Sequence, residues 1–202
     1  MATVERVSGS RLLAYADGVR AVYADAFGSP PWLEGPEQAD IYLERLAGDV
    51  RRPGFAAALA LDGDRVAGWA TAWTTPETFP TDRAYALISA ALGERRTTDW
   101  LCGAREVDEL AVSTRARGSG LGARLLHAVT EDRADGRCWL LTSAAAQDTC
   151  AFYERAGWPQ VTGPAPGDPG LATFLGPRHP ARAALSAPSD SDPWTRPTGH
   201  EG

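Results

Sequence analysis

The sequence predicts an α/β (α+β) domain with a mixed central sheet and helices on both faces. Three observations carry this. Apolar residues recur at helical spacing after Ser10 and again after Pro36. From Phe55 the texture changes to short apolar runs bounded by turn residues, as strands require. Past the midpoint a strand, a glycine-rich loop, a helix, a strand and a second helix follow one another.

Taken in order, Leu12, Tyr15, Ala16, Val19, Val22, Tyr23 and Ala26 trace the first helix, which Gly28-Ser29-Pro30-Pro31 ends. Pro36 suits the first turn of a second helix with Ala39, Tyr42, Leu43 and Leu46 on its buried face. Phe55 to Leu61 and Val66 to Trp73 read as a hairpin across Asp62-Gly63-Asp64. About 30 residues then precede the next strand, too many for a structureless loop in a compact domain. Within them Ala84, Leu87, Ile88, Ala91 and Leu92 form a helical stripe, so residues 75–105 are read as an inserted helical segment. It would cover the site or meet a partner subunit.

Glu106 to Val112 is the next strand, and Leu121, Leu125, Leu126 and Val129 trace the helix after the glycine loop. Cys138 to Ser143 is a further strand. A short helix from about Asp148 closes at Gly157, a residue suited to the left-handed position after a helix. Leu171 to Leu175 is a last strand. One domain over residues 1–176 is expected, with a disordered tail over 177–202, where proline, serine and aspartate accumulate.

Composition narrows the function. Of 202 residues 44% are hydrophobic and 23% charged, the balance of an ordinary globular protein. No apolar run approaches the ~20 residues of a membrane span, and the start lacks a signal-peptide layout. A cytoplasmic location and no membrane partner are expected. The net charge of -6 argues against a general nucleic-acid binder. Cys102, Cys138 and Cys150 are odd in number and form no CxxC pair, so no disulfide framework or metal site is expected. His127, His179 and His200 are too scattered to supply a metal cluster. Lysine and asparagine are absent, and all 20 basic residues are arginine. Both missing residues have A-rich codons, so a G+C-rich coding sequence accounts for the bias.

The informative segment is Arg117-Gly118-Ser119-Gly120-Leu121-Gly122, between a strand and a helix. Alternating glycines allow a tight turn with several N–H groups pointing into one concavity. The helix N-terminus adds unpaired donors and the positive end of its dipole. Together these suit a pyrophosphate, with Arg115, Arg117 or Arg124 available to offset charge. A Walker loop needs a lysine this chain lacks, and a dinucleotide fingerprint needs GxGxxG rather than GxGxG.

The stretch from Glu109 to Gly122, continuing into Ala123-Arg124-Leu125-Leu126, resembles the [Q/R]-x-x-G-x-[G/A] signature of the GNAT superfamily of N-acetyltransferases. Ala151-Phe152-Tyr153-Glu154-Arg155-Ala156-Gly157-Trp158 resembles that family's FYE[KR]xG[FW] segment, at the expected distance. The resemblance covers Phe55 to Trp158 best. It implies a mostly antiparallel sheet that splays between its fourth and fifth strands, and acetyl-coenzyme A as donor. The amides of Arg117, Gly118, Ser119, Gly120, Leu121, Gly122 and Ala123 would hold the pyrophosphate. The backbone of Leu110, Ala111 and Val112 would pair with the pantetheine arm, with the amide near Val112 facing the acetyl carbonyl.

By the same resemblance Tyr153 would protonate the departing thiolate. Strand alternation puts Glu106, Asp108, Leu110 and Val112 on one face and Glu109 on the other. Glu106 or Asp108 is therefore the candidate base, unless these carboxylates only bind a cationic substrate or a water carries the proton, and Glu109 is read as a surface or salt-bridged group. Many family members place an asparagine seven residues before the tyrosine; this chain has Ala146, with Gln147 beside it. Trp32 and Glu34, with Glu37 nearby, lie in a loop that forms the acceptor wall in related folds. Cys150 reads as a buried packing residue, His127 as a surface or packing residue, and Trp69, Trp73, Trp139 and Trp158 as core.

The resulting expectation is acetyl transfer to a primary amine by direct attack in a ternary complex, without a metal. A small-molecule amine is the expected partner, and a homodimer is left open. The alternatives are a non-catalytic acyl-CoA-binding or regulatory module, a protein or peptide N-acetyltransferase, and a nucleotide-binding domain.

Overall fold

A computed structural model describes residues 2–82, 84–163 and 170–185. Seven strands form one sheet in the order β1-β2-β3-β4-β5-β7-β6. They are β1 (Thr3–Val7), β2 (Ala56–Asp62), β3 (Arg65–Thr74), β4 (Arg105–Val112), β5 (Cys138–Ser143), β6 (Gln160–Thr162) and β7 (Leu171–Leu175). Every pairing is antiparallel except β4 with β5. That parallel pair is short, running only from Arg105–Cys138 to Val107–Leu140. Beyond it β4 continues along β3 and β5 along β7, so the two strands part. The expected splay between the fourth and fifth strands is present.

Helices α1 (Gly9–Ala14), α2 (Ala16–Phe27) and α3 (Glu37–Asp49) precede the hairpin. Ser8 caps α1, its hydroxyl accepting from the Arg11 amide at 3.2 Å. Such a cap stabilises a helix end by about 1 kcal/mol. The single helix expected after Ser10 is broken at Tyr15, which ends α1 and precedes α2. Val19, Val22, Tyr23, Ala39, Tyr42 and Leu46 cover one face of the sheet against Leu59 and Trp69. Tyr42 stacks between Tyr23 and Trp69, at 5.1 and 4.8 Å between centroids.

The opposite face packs against α6 (Leu121–Ala128) and α7 (Gln147–Arg155). Alternation along β2 turns Ala56, Ala58 and Ala60 to this side, with Ala70 and Ala72 from β3. These small side chains leave room for Leu121, Leu125, Leu126 and Tyr153. Arg105, itself buried, ties β4 to the end of α6 through the Val129 carbonyl at 3.0 Å and an ion pair with Asp132.

The 75–105 segment contains α4 (Tyr85–Leu92), the short α5 (Glu94–Arg96) and a π-helical turn over Thr97–Leu101. Tyr85, Ile88, Leu92 and Leu101 form a third cluster with Trp139 and Leu175. The helix is as expected, but its buried stripe is rotated: Leu87 and Ala91 face solvent.

Three further differences have physical reasons. Strand β1 escapes a hydrophobic reading because its five residues include Glu5 and Arg6 and none is fully buried. A bulge opposite Thr71/Ala72 makes Asp108 an extra residue on β4, and beyond it simple alternation fails. Residues 177–185, expected to open the disordered tail, carry α8 (Arg182–Leu185) and are mostly exposed apart from His179. His179 is buried there, with Nε2 3.0 Å from the Trp100 carbonyl and Nδ1 accepting from the Ala181 amide at 3.1 Å. The rest of that expected tail lies outside the described residues.

Candidate active site

The glycine loop leaves β4 through a 3₁₀ turn at Thr114–Ala116. Asp25 of α2 anchors this turn, accepting from the Thr114 amide at 2.7 Å and its hydroxyl at 2.9 Å. Gly118 and Gly120 then adopt φ of +75° and +78°, a left-handed geometry that glycine enters at no steric cost. An added Cβ at either position would meet nothing within 4 Å, so the backbone there faces open space. Gly120 directly precedes α6, whose first amides have no helical partner. The Arg117 guanidinium donates to the Ala26 carbonyl at 3.3 Å.

A cavity of about 930 Å³ runs from this loop through the β4–β5 gap to the loop between α2 and α3. At the loop end it is lined by Arg117, Gly118, Gly120, Leu121, Gly122 and Ala123, with Leu110, Ala111 and Val112 of β4 beside them. Nine of the ten residues expected at a cofactor thus line one space. Ser119 is outside the lining; its hydroxyl donates to the Ala116 carbonyl. At Gly122 an added Cβ would sit 3.2 Å from the Phe152 ring, which packs close against the start of α6.

These features fit a thioester cofactor with a diphosphate. The loop offers backbone donors in the open, the helix N-terminus complements negative charge, and an unpaired strand edge borders the gap. Among the described residues no strand pairs with β4 on its β5 side from Asp108 onward. No group of His, Cys, Asp or Glu among them has an arrangement that would hold a metal ion.

Tyr153 of α7 lines the middle of the cavity and is nearly buried. Burial, with lesser contributions from the Glu109 charge and Cys150, holds its phenol well above the usual value. The hydroxyl is therefore protonated at neutral pH and can serve as a donor. Cys150 is half-buried with its thiol 3.7 Å from the Ser143 carbonyl, and burial pushes the thiol up rather than toward thiolate. Ala146 is buried, and Gln147 is exposed and outside the cavity lining.

At the other end lie Trp32, Glu34, Glu106, Asp108 and Glu109, joined by Phe27 and Tyr85. Glu37 is exposed and outside the lining. Trp32 meets Phe27 edge-on at 5.6 Å. Glu34 accepts from the Tyr23 hydroxyl at 2.7 Å; burial, then this bond, raises the Tyr23 phenol strongly. Glu106 is buried and accepts from the Tyr85 hydroxyl and from Trp73 Nε1.

Arg45 of α3, which the sequence did not mark, lies 3.2 Å from Asp108 and 3.3 Å from Glu109. Both carboxylates thus reach the same arginine, whereas strict alternation would put them on opposite faces. The bulge at Asp108 is the reason. Burial works against the charge on Arg45, but Asp108 and Glu109 outweigh it and raise its pKa.

A mixed sheet parted between β4 and β5, with a glycine turn opening onto the gap, defines an acyltransferase architecture. The profile of the Acetyltransferase (GNAT) family matches residues 17–158, and the chain belongs to that family. Its fold is similar to that of a protein from Desulfovibrio desulfuricans assigned to the same family, at 24% identity and TM-score 0.56, covering 87% of this chain and 97% of that one. It is similar to aminoglycoside 6'-acetyltransferase type Ii, at 18% identity and TM-score 0.56, covering 86% and 95%. A ribosomal-protein-alanine N-acetyltransferase from Brucella melitensis is similar at 19% identity and TM-score 0.53, covering 86% and 98%. At these identities the likeness is one of fold. No curated protein matches the chain in sequence.

Proposed function

We propose that this chain is an N-acetyltransferase that uses acetyl-coenzyme A to acetylate a small-molecule primary amine, by direct attack in a ternary complex. One observation carries the reading: the glycine loop, the Tyr153 ring and the carboxylates share a single continuous cavity. The donor's chemistry is an activated acyl carbon with a thiolate leaving group. The loop amides and the start of α6 bind the diphosphate, and the free β4 edge aligns the arm. Tyr153 holds the proton the leaving sulfur requires. Glu106, or Asp108 within its arginine clamp, receives the proton the ammonium must lose. Their negative charge also favours a cationic acceptor over a neutral one. Trp32, Phe27 and Tyr85 wall the acceptor end with aromatic rings, which suits a compact molecule. Action in the cytoplasm belongs to the same reading.

Thermal shift with acetyl-coenzyme A, coenzyme A, ATP and NAD tests the donor. At one hundred times its dissociation constant a ligand stabilises by about 2.7 kcal/mol, readily visible as a shift. Stabilisation by the two coenzymes alone is expected; a response confined to ATP or NAD would overturn the reading. Thiol release over a panel of small amines and alanine-ended peptides tests the acceptor. Turnover with small amines is expected. Peptide-only turnover would move the assignment to a protein N-acetyltransferase, and binding without turnover to a regulatory module.

A further inference from the structure

The inserted segment between β3 and β4 brings one hydroxyl into the site. Tyr85 is the first residue of α4, only 3% exposed, with Phe79 edge-on at 5.3 Å and Trp139 at 6.3 Å. Its hydroxyl lies 2.8 Å from Glu106 Oε1 and 2.9 Å from Oε2. Trp73 Nε1 donates to Oε2 at 3.3 Å. An indole nitrogen can only donate, so Glu106 is the acceptor in that bond. Tyr85 and Glu106 both line the cavity.

A carboxyl group buried to this degree is driven toward its neutral form by lost hydration. Asp108 and Glu109 of the same strand and Glu34 across the cavity are the other carboxylates lining this space. Arg45 from α3 pairs with the first two, and Arg52 lies 4.2 Å over the Trp73 ring. Tyr153 of α7 faces the same space and is protonated. Hydrogen bonds to a carboxylate favour the anion, and those from Tyr85 and Trp73 do so here. They also help fix where the carboxylate points, because both rings are buried.

Resting on the reading of Glu106 as an acceptor-side carboxylate, we propose that Tyr85 is a positioning residue that holds Glu106 ionised and aimed into the cavity. The insertion thereby sets the pH range in which this carboxylate can take a proton from the acceptor. Removing the Tyr85 hydroxyl raises the affinity of Glu106 for a proton. A base that must be ionised then works only at higher pH, so the acid limb of the rate profile moves upward.

The test uses the whole chain labelled with ¹³C at glutamate carboxyls, with the Glu106 resonance assigned by its loss in Glu106→Gln. Tyr85→Phe keeps the ring and removes the hydroxyl. Its Glu106 resonance is expected to titrate about one pH unit higher than in the parent. The thermal response to coenzyme A is expected to be unchanged, which reports an intact fold. With the best amine from the panel, the acid limb of kcat/KM should move by the same amount. An unshifted Glu106 titration in a Tyr85→Phe protein that still responds to coenzyme A would overturn the proposal. Full activity of Glu106→Gln at every pH would instead remove Glu106 from the reaction, overturning the underlying reading and the catalytic consequence together.

Discussion

The Arg45 guanidinium of α3 lies 3.2 Å from the Asp108 carboxylate of β4, linking the helical layer to the acceptor end of the cavity. The Asp108 side chain is 3% exposed, so Arg45 is a charged partner to a buried carboxylate. Arg45→Gln is expected to destabilise the fold by about 3 kcal/mol, measured by urea denaturation, because a buried carboxylate loses a charged, hydrogen-bonding partner. The double variant with Asp108→Asn should recover part of that loss. Equal destabilisation in the single and double variants would contradict the pairing.

Gly120 tests the loop. At φ +78° a side chain carries a conformational cost of about 1–2 kcal/mol, and aspartate also brings negative charge to the diphosphate end. Gly120→Asp is expected to abolish the thermal shift with coenzyme A. Gly120→Ala shares the backbone strain without the charge and should retain a weakened response. Undiminished coenzyme affinity in a folded Gly120→Asp protein would remove the loop from the binding site.

Tyr153 tests the chemistry separately from binding. Its ring packs 5.0 Å from Phe152 and 5.5 Å from Phe174, contacts that phenylalanine preserves. Tyr153→Phe is expected to lower kcat about 100-fold while leaving coenzyme affinity intact. Steady-state rates beside thermal shift would check this, and an unchanged kcat would reassign the tyrosine to packing.

His179 gives a pH dependence with a defined sign. Burial lowers its pKa below the usual 6.5, and the hydrogen bonds fit a neutral ring with its proton on Nε2. A second proton on Nδ1 would confront the Ala181 N–H. The unfolded chain binds that proton more readily, so stability present above about pH 6.5 is lost as pH falls toward the lower folded value. The hydrogen-exchange protection of residues 177–185, measured relative to the intrinsic exchange rate at each pH, should fall between pH 7 and 5, and His179→Gln should flatten that change. The same loss of protection in His179→Gln would place its origin elsewhere.

What could be read from the sequence follows from how local each feature is. The glycine loop and the segment around Tyr153 are contiguous, with spacing fixed by one helix and one strand, so both were legible. Arg45 was not, because it lies 63 residues from Asp108 and looks like the solvent face of an amphipathic helix. Glu109 was assigned to the wrong face because a bulge leaves no mark in the pattern of apolar residues. Tyr85 carries no signal of its own in the sequence; only the folded insertion brings its hydroxyl to Glu106. Residues 177–185 looked tail-like in composition, yet one buried histidine and its contacts hold them.

The parting of β4 from β5 also bears on solubility. A sheet is vulnerable to stacking with other chains where backbone donors and acceptors lie unpaired along an accessible edge. Here the outermost strands are short, five residues in β1 and three in β6, and offer little template. The part of β4 beyond Val107, which among the described residues has no strand on its β5 side, lies between flanking strands inside the molecule. A strand of another chain would have to enter between β4 and β5 to pair there, so this interior break in the ladder is shielded by its own neighbours from edge-to-edge stacking.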